Sequence, residues 1–410
     1  MSNHRRLSLL AVPLAGVLVM AACGSSKKAA PVTTAASSST TAAATTTSEA
    51  ATTSTTAAPN PYDLKAAGCP SPVVIQKDWW PEAEHGGLYE MLGADAKVDT
   101  AKKKVVGELL AKGGKDTGVQ LEIREGGGAV GFTQDTALLY TDPSILLAYV
   151  GTDEGIQNSK DKPTVAVMAP LEKNPQIIFW DPATYPDVKT IADLGKTNAK
   201  IQYFGGGTYM DYLIGKGIVQ KKNTDGSYDG SPANFVAAQG KIASQGFGSA
   251  EPFIYLNEVP DWGKDVAYQY IDDTGWRPYS QTLATLPANI TKYADCFKRL
   301  VPIIQRAQVD YLKNPIDANG LILKAIAEEK SGWVYSGGVA SFSVTIMIKD
   351  GLVSNGPDKT LGNFDPQRIN DLIAIAGPIF AAQGKPIKDG LKAEDIMTNQ
   401  FIDPAIGIGT

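Results

Sequence analysis

Apolar and polar positions along this chain follow two rhythms that alternate from residue 73 to the C-terminus. Val73-Val74-Ile75, Ser144–Val150 and Thr164–Met168 are continuous apolar runs of strand length, the pattern of strands covered on both faces. Val119-Gln120-Leu121-Glu122-Ile123 alternates with period two and reads as a half-buried strand. Further strands are expected at Lys200–Phe204 and Gln281–Leu286. Between them lie helical stretches. One begins near Gly87, and another covers Val105–Lys112 and stops at Gly113-Gly114. Others start at Gly151-Thr152-Asp153-Glu154, with acids in the first turn, and at Gly205-Gly206-Gly207-Thr208. After residue 286 the apolar spacing is helical over Tyr293–Leu312, Asp317–Glu329 and Pro366–Gln383, the last capped by Asp365. Alternating strands and helices predict an α/β class with largely parallel sheets.

A return of helices after residue 286 implies a second half inserted between two chain crossings. The first crossing is placed at Ala169-Pro170. The expected layout is a leader at 1–22, a tether at 23–61, one half built from 70–168 and 283–410, and the other from 169–282. With 410 residues, the chain has room for roughly two to three domains of about 150 residues.

The N-terminus changes the picture. A basic start containing Arg5 and Arg6 leads into an apolar run from Leu7 to Ala22 that is too short to span a bilayer as a stable helix. Its end, Met20-Ala21-Ala22-Cys23, looks like the lipobox of bacterial lipoproteins. That likeness implies cleavage before Cys23, its lipidation, and a membrane anchor outside the cytoplasm. Residues 24 to about 61 are Ser, Thr and Ala with almost no bulky apolar side chain. Such a segment cannot bury enough surface to offset its conformational entropy and is expected to act as a disordered tether. As a flexible coil of about 40 residues it would reach roughly 35 Å.

Charge excludes one class of partner. Removing Arg5, Arg6, Lys27, Lys28 and Glu49 from the 38 basic and 43 acidic residues leaves 34 and 42, a net of −8. A nucleic-acid partner wants a basic face, so none is expected. Beyond Cys23 only Cys69 and Cys296 remain, and an even pair in an exported chain predicts a Cys69–Cys296 disulfide.

Candidate chemistry concentrates where the first strand hands over to a helix, at Lys77-Asp78-Trp79-Trp80-Pro81-Glu82-Ala83-Glu84-His85. Carboxyl-end turns of this kind are where open α/β sheets bind ligands. Either Trp79 or Trp80 could stack on a flat solute, but successive extended residues face opposite ways, so only one reaches a cleft. His85 is the only histidine beyond the leader and sits beside Glu84. Asp153 and Thr208 stand at helix starts, where backbone N–H groups face outward. Glu251 precedes Pro252 and is expected to be extended. Trp276 lies in a polar Gly/Pro turn, while Trp180 and Trp333 read as core. A single histidine leaves little for metal or Ser–His chemistry, and no Gly-x-Ser-x-Gly elbow is present. Neither catalytic residues nor a metal or cofactor site is expected.

The leader, the lipobox, Asp78-Trp79 with Pro81 two residues on, and His85 followed by Gly87-Leu88-Tyr89 resemble solute-binding proteins of ABC importers. The group most resembled binds thiamine pyrimidine precursors and has a riboflavin-binding branch. Binders of nitrate, taurine and alkanesulfonates are more distant. Thr190-Ile191-Ala192-Asp193-Leu194-Gly195-Lys196 is similar to the family's segment before the first strand of the second lobe. The resemblance implies a two-lobe periplasmic-binding-protein-like (type II) fold with ligand held in a cleft between lobes joined by two crossover strands. It also implies a monomer that closes on a small-molecule solute and docks on a membrane permease. On this reading Trp79 and His85 are pocket residues, Glu251 meets ring or amino nitrogens, and Asp153 and Thr208 face the cleft. Trp80 and Glu84 depart from the pattern, standing where the pyrimidine binders carry a small hydroxylated residue and an amide. A sulfonate or nitrate ligand, and an extracytoplasmic enzyme acting on a vitamin-like heterocycle, are the alternative functions.

Overall fold

The computed structural model describes residues 60–409. The leader, Cys23 and the Ser/Thr/Ala segment as far as residue 59 lie outside the described residues. Among the described residues no helix is long and apolar enough to cross a membrane.

Within the described residues twelve strands form two sheets: β1 (Val73–Gln76), β2 (Lys97–Asp99), β3 (Lys104–Ala111), β4 (Lys115–Arg124), β5 (Leu147–Val150), β6 (Val165–Met168), β7 (Gln176–Trp180), β8 (Lys200–Gln202), β9 (Thr224–Asp225), β10 (Ile242–Phe247), β11 (Ala267–Tyr270) and β12 (Thr282–Thr285). The first sheet has the order β2-β3-β4-β1-β5-β12-β6 and the second β11-β7-β10-β8-β9. The chain thus leaves the first sheet after β6, builds the second, and returns as β12. The fold is the α/β, two-lobe type that the sequence predicts.

The sheets are mixed rather than largely parallel. In the first, the parallel pairings are those of β1 with β4 and with β5. β12 runs antiparallel between β5 and β6. The expected helix at Val105–Lys112 is instead the first arm of a β3–β4 hairpin. Gly113 and Gly114, in the three-residue connection 112–114, both have positive φ, at 72° and 71°, a conformation that other residues resist. Val105, Gly107, Leu109 and Ala111 are buried in strict alternation, the period of a strand.

β1 is buried at every position, and the fully buried Val73 and Ile75 help form one apolar core with Phe297, Leu300 and Ile304 of the long helix Ala294–Lys313. Asp365 caps the helix Pro366–Ala382 by accepting from the Gln367 N–H. A further helix, Gly337–Lys349, has no clear apolar stripe in sequence and so goes unpredicted by spacing; Ser336 caps it, accepting from Gly338 and Val339. Trp180 is core, as expected.

Cys69 and Cys296 are bonded, tying the segment before β1 to the helix Ala294–Lys313 across 227 positions of sequence. Unreduced protein is therefore expected to take up no alkylating label at either cysteine, and label at both after reduction in denaturant. Labelling of both without reductant would contradict the bridge.

Candidate functional site

β1 lies between the two strands that the chain visits next in its parallel ladder, β4 on one side and β5 on the other. A crevice opens at such a switch point, outside the strands' carboxyl ends. Residues 77–85 leave β1 at that place. Facing them across the crevice are the Gly205–Thr208 turn after β8 and the segment after β10, both from the second sheet. The cavity between them measures about 210 Å³. A cavity of about 150 Å³ is enough to admit benzene, so this one has room for a ring with small substituents.

One wall is aromatic. Trp79 lies 5.9 Å from Phe132 and 6.0 Å from Trp333, centroid to centroid, and Phe132 lies 5.7 Å from Phe204. The row crosses from one half to the other. Trp333, expected in the core, therefore lines the cavity. Six acids line the rest of it, Asp78, Glu82, Asp135, Asp153, Glu154 and Glu251, among neutral polar side chains such as Gln134, Asn174, Gln176 and Gln245. Among the described residues no lysine or arginine lines the cavity.

Several of these acids are held in place by hydrogen bonds. The Glu154 Oε1 accepts from Thr136 N at 2.9 Å and Thr136 Oγ1 at 2.8 Å. Glu251 accepts from Phe247 N at 2.6 Å and from the Tyr228 hydroxyl at 3.2 Å. A Cβ at Gly246 would fall 2.5 Å from the Glu251 carboxyl carbon, so a glycine is needed for that carboxylate to fold back over the strand end. Asp153 accepts from the Thr208 hydroxyl across the cleft and from Trp276 Nε1 at 3.2 Å. Gln281 Nε2 donates to Asp78 Oδ1 and Glu82 Oε1, both at 3.2 Å.

Burial shifts these groups. It raises Glu154 and Glu251 to about 7, against the pull of their hydrogen bonds. Burial, with the neighbouring carboxylates, also holds Glu82 and Asp135 well above the usual carboxylate range. Glu84 and Asp153 are raised by burial as well.

The structure brings four of the sequence-predicted residues, Trp79, Asp153, Thr208 and Glu251, to the cavity wall. Four others lie elsewhere. His85 is 0 % exposed, stacked on Tyr149 at 5.2 Å, with Nε2 3.0 Å from Asp78 Oδ1. Burial lowers it to about 4, so it is neutral and donates from Nε2 to Asp78, a tautomer assigned from that bond. It props the cavity acid from behind. Trp276 is also 0 % exposed and stacks on Tyr212, because the turn that carries it folds inward. Trp80 packs over Gly128, outside the cavity lining. Glu84 is buried and accepts from the Ser249 hydroxyl of the other half. Glu251 is not extended: it is the first residue of the helix Glu251–Asn257, where Pro252 is tolerated because first-turn N–H groups lack intrahelical partners.

Sequence reasoning missed Asp78, Glu82, Asp135, Glu154, Phe132 and Trp333 as lining residues. Asp78 and Glu82 stood inside the recognised motif. Asp135 and Trp333 sit singly in ordinary segments and carry no local signal.

No protein-family model matches the sequence, and no curated protein matches it. Solved structures do match the fold. One from Bordetella bronchiseptica RB50 covers 80% of this chain and 95% of its own at 16% identity, with a TM-score of 0.50. The alkanesulfonate-binding protein of Xanthomonas axonopodis pv. citri, bound to MOPS, covers 80% and 100% at 14% identity and 0.46. The periplasmic nitrate-binding protein of Synechocystis PCC 6803 covers 80% and 87% at 13% identity and 0.48. Likeness at these identities concerns the fold.

Proposed function

We propose that this chain is the extracytoplasmic solute-binding component of an ABC importer, and that it captures a small, aromatic, nitrogen-containing solute for a membrane permease. The observation that carries this reading is the cavity lining: an aromatic row beside six carboxylates, with no basic side chain. Aromatic faces stack on flat rings, and carboxylates accept hydrogen bonds from ring and amino N–H groups. A thiamine pyrimidine precursor or a flavin has both features. Sulfonate and nitrate, named for two of the structural neighbours, would meet six carboxylates and no cation in this lining, which repels an anion.

In this reading the halves built on the two sheets hinge at the crossings near residues 169 and 283, and Cys23 carries the lipid that keeps the protein at the membrane. Trp79, Asp153, Thr208 and Glu251 contact the solute. Trp276 holds Asp153, His85 holds Asp78, Glu84 takes the Ser249 hydroxyl of the other half, and Trp80 packs against Gly128. The protein binds and releases its solute unchanged.

Calorimetry with a panel of aminopyrimidines, flavins and sulfonates tests this. At least one heterocycle is expected to bind, and Trp79→Ala to weaken it about tenfold or more through lost stacking and burial. Binding of sulfonates alone would overturn the heterocycle, and turnover of a bound compound would overturn the binder.

A further inference from the structure

We infer that the solute is an organic cation and that its charged nitrogen sits against Asp135, with Glu154 beside it. This rests on the solute-capture reading and adds the charge of the solute and the place where that charge is held.

Asp135 opens the helix Asp135–Thr141, is 3 % exposed and lines the cavity. Its Oδ2 is buried without a hydrogen-bond partner. An unsatisfied buried carboxylate oxygen is costly and calls for an explanation, of which a partner supplied by a bound group is one. Glu154 is fixed against the same turn, because its Oε1 takes both the N–H and the hydroxyl of Thr136, the next residue. Asp78 is near enough to add to the repulsion on both. Neither Asp135 nor Glu154 forms an ion pair among the described residues.

Two candidates could supply the positive charge, a metal ion or an organic cation. Among the described residues no three acidic, histidine or cysteine groups are placed to hold a metal. The Trp79–Phe132 pair borders the same cavity, and aromatic faces attract an ammonium or amidinium as well as stack on the ring that bears it. An amidinium or protonated amine on a flat ring satisfies the acid and the aromatic wall together.

A series of one shape and three charges tests this on the full chain: benzamidine, benzamide and benzoate, titrated calorimetrically up to about 10 mM, where affinities of about 4 kcal/mol are still visible. Benzamidine is expected to bind, benzamide about tenfold more weakly or worse, and benzoate not at all. Asp135→Asn is expected to weaken benzamidine by about 10- to 100-fold, the range of a charge-assisted bond, without lowering thermal stability. Benzamide binding as well as benzamidine, measurable benzoate binding, or no benzamidine binding would each overturn the cation site. An unchanged benzamidine affinity in Asp135→Asn would do the same. A neutral heterocycle bound from the earlier panel would overturn the charge while leaving solute capture intact, whereas sulfonate-only binding overturns both. The charge series uses unmodified protein, so the test stands even where the variant does not fold.

Discussion

Lys77→Met is expected to cost about 3–5 kcal/mol of stability, and Lys77→Met combined with Glu125→Gln to recover most of it. Lys77 is 0 % exposed, with its Nζ 2.5 Å from Glu125 Oε2 and 2.9 Å from the Tyr89 hydroxyl. Removing the ammonium alone leaves a buried carboxylate beside Glu329, whose own charge opposes it. Replacing both charges removes the uncompensated ion. The amide oxygen introduced by Glu125→Gln would still accept from the Tyr89 hydroxyl, which lies 3.3 Å from Glu125 Oε1 in the wild type. Urea unfolding of wild type, the single variant and the double variant decides the matter. A single-variant loss below about 1 kcal/mol would show that the pair is not held as described. Because Lys77 immediately precedes Asp78 and Trp79, the single variant is also expected to loosen the cavity floor.

Acidification from pH 7.5 to 5 is expected to stabilise the solute-free protein, by a few kcal/mol in total. Folded Glu154 and Glu251 keep their protons up to about 7, whereas an unfolded glutamate loses its proton near 4.5. Between those values the folded chain binds more protons, so stability falls as pH rises through the window. Each group can contribute about 2–3 kcal/mol, and solvent screening at half-buried Glu154 reduces its share. His85 works the other way. Its folded value near 4 lies below the ordinary 6.5, so the stability it gives is present above 6.5 and lost as pH falls toward 4. Glu82, Glu84, Asp135 and Asp153 are shifted in the same direction as Glu154 and Glu251. The carboxylates therefore outweigh the histidine. Thermal melts across this range should show the trend, and Glu154→Gln with Glu251→Gln should flatten it. A melting temperature that climbs steadily from pH 5 to 7.5 would refute the assignment.

The buried strands were legible because a run such as Leu147-Ala148-Tyr149-Val150 has no other way to be satisfied than burial on both faces. The β3–β4 hairpin was not. Val105, Val106, Leu109 and Leu110 also fit a helical spacing, and only the left-handed pair Gly113-Gly114 distinguishes the two. Site residues were legible to the level of the segment and not of the side chain. The turn at 77–85 does floor the cavity, yet a short 3-10 helix at Ala83–His85 rotates His85 onto Tyr149 while Glu82 reaches the wall. Trp276 was read from its polar neighbours, which say nothing of the stacking partner Tyr212 far earlier in the chain. Asp135 had no signal at all, since its meaning comes from what the fold brings opposite it.

The two halves are clasped by Ser249 donating to Glu84 and Thr208 donating to Asp153. Each bond joins a hydroxyl of one half to a carboxylate of the other at the crevice. In an importer the dwell time of the cargo would then follow the lifetime of these clasps as much as its grip on the ring. On the solute-capture reading proposed above, a partner that prised the clasps apart would release the cargo without competing for it.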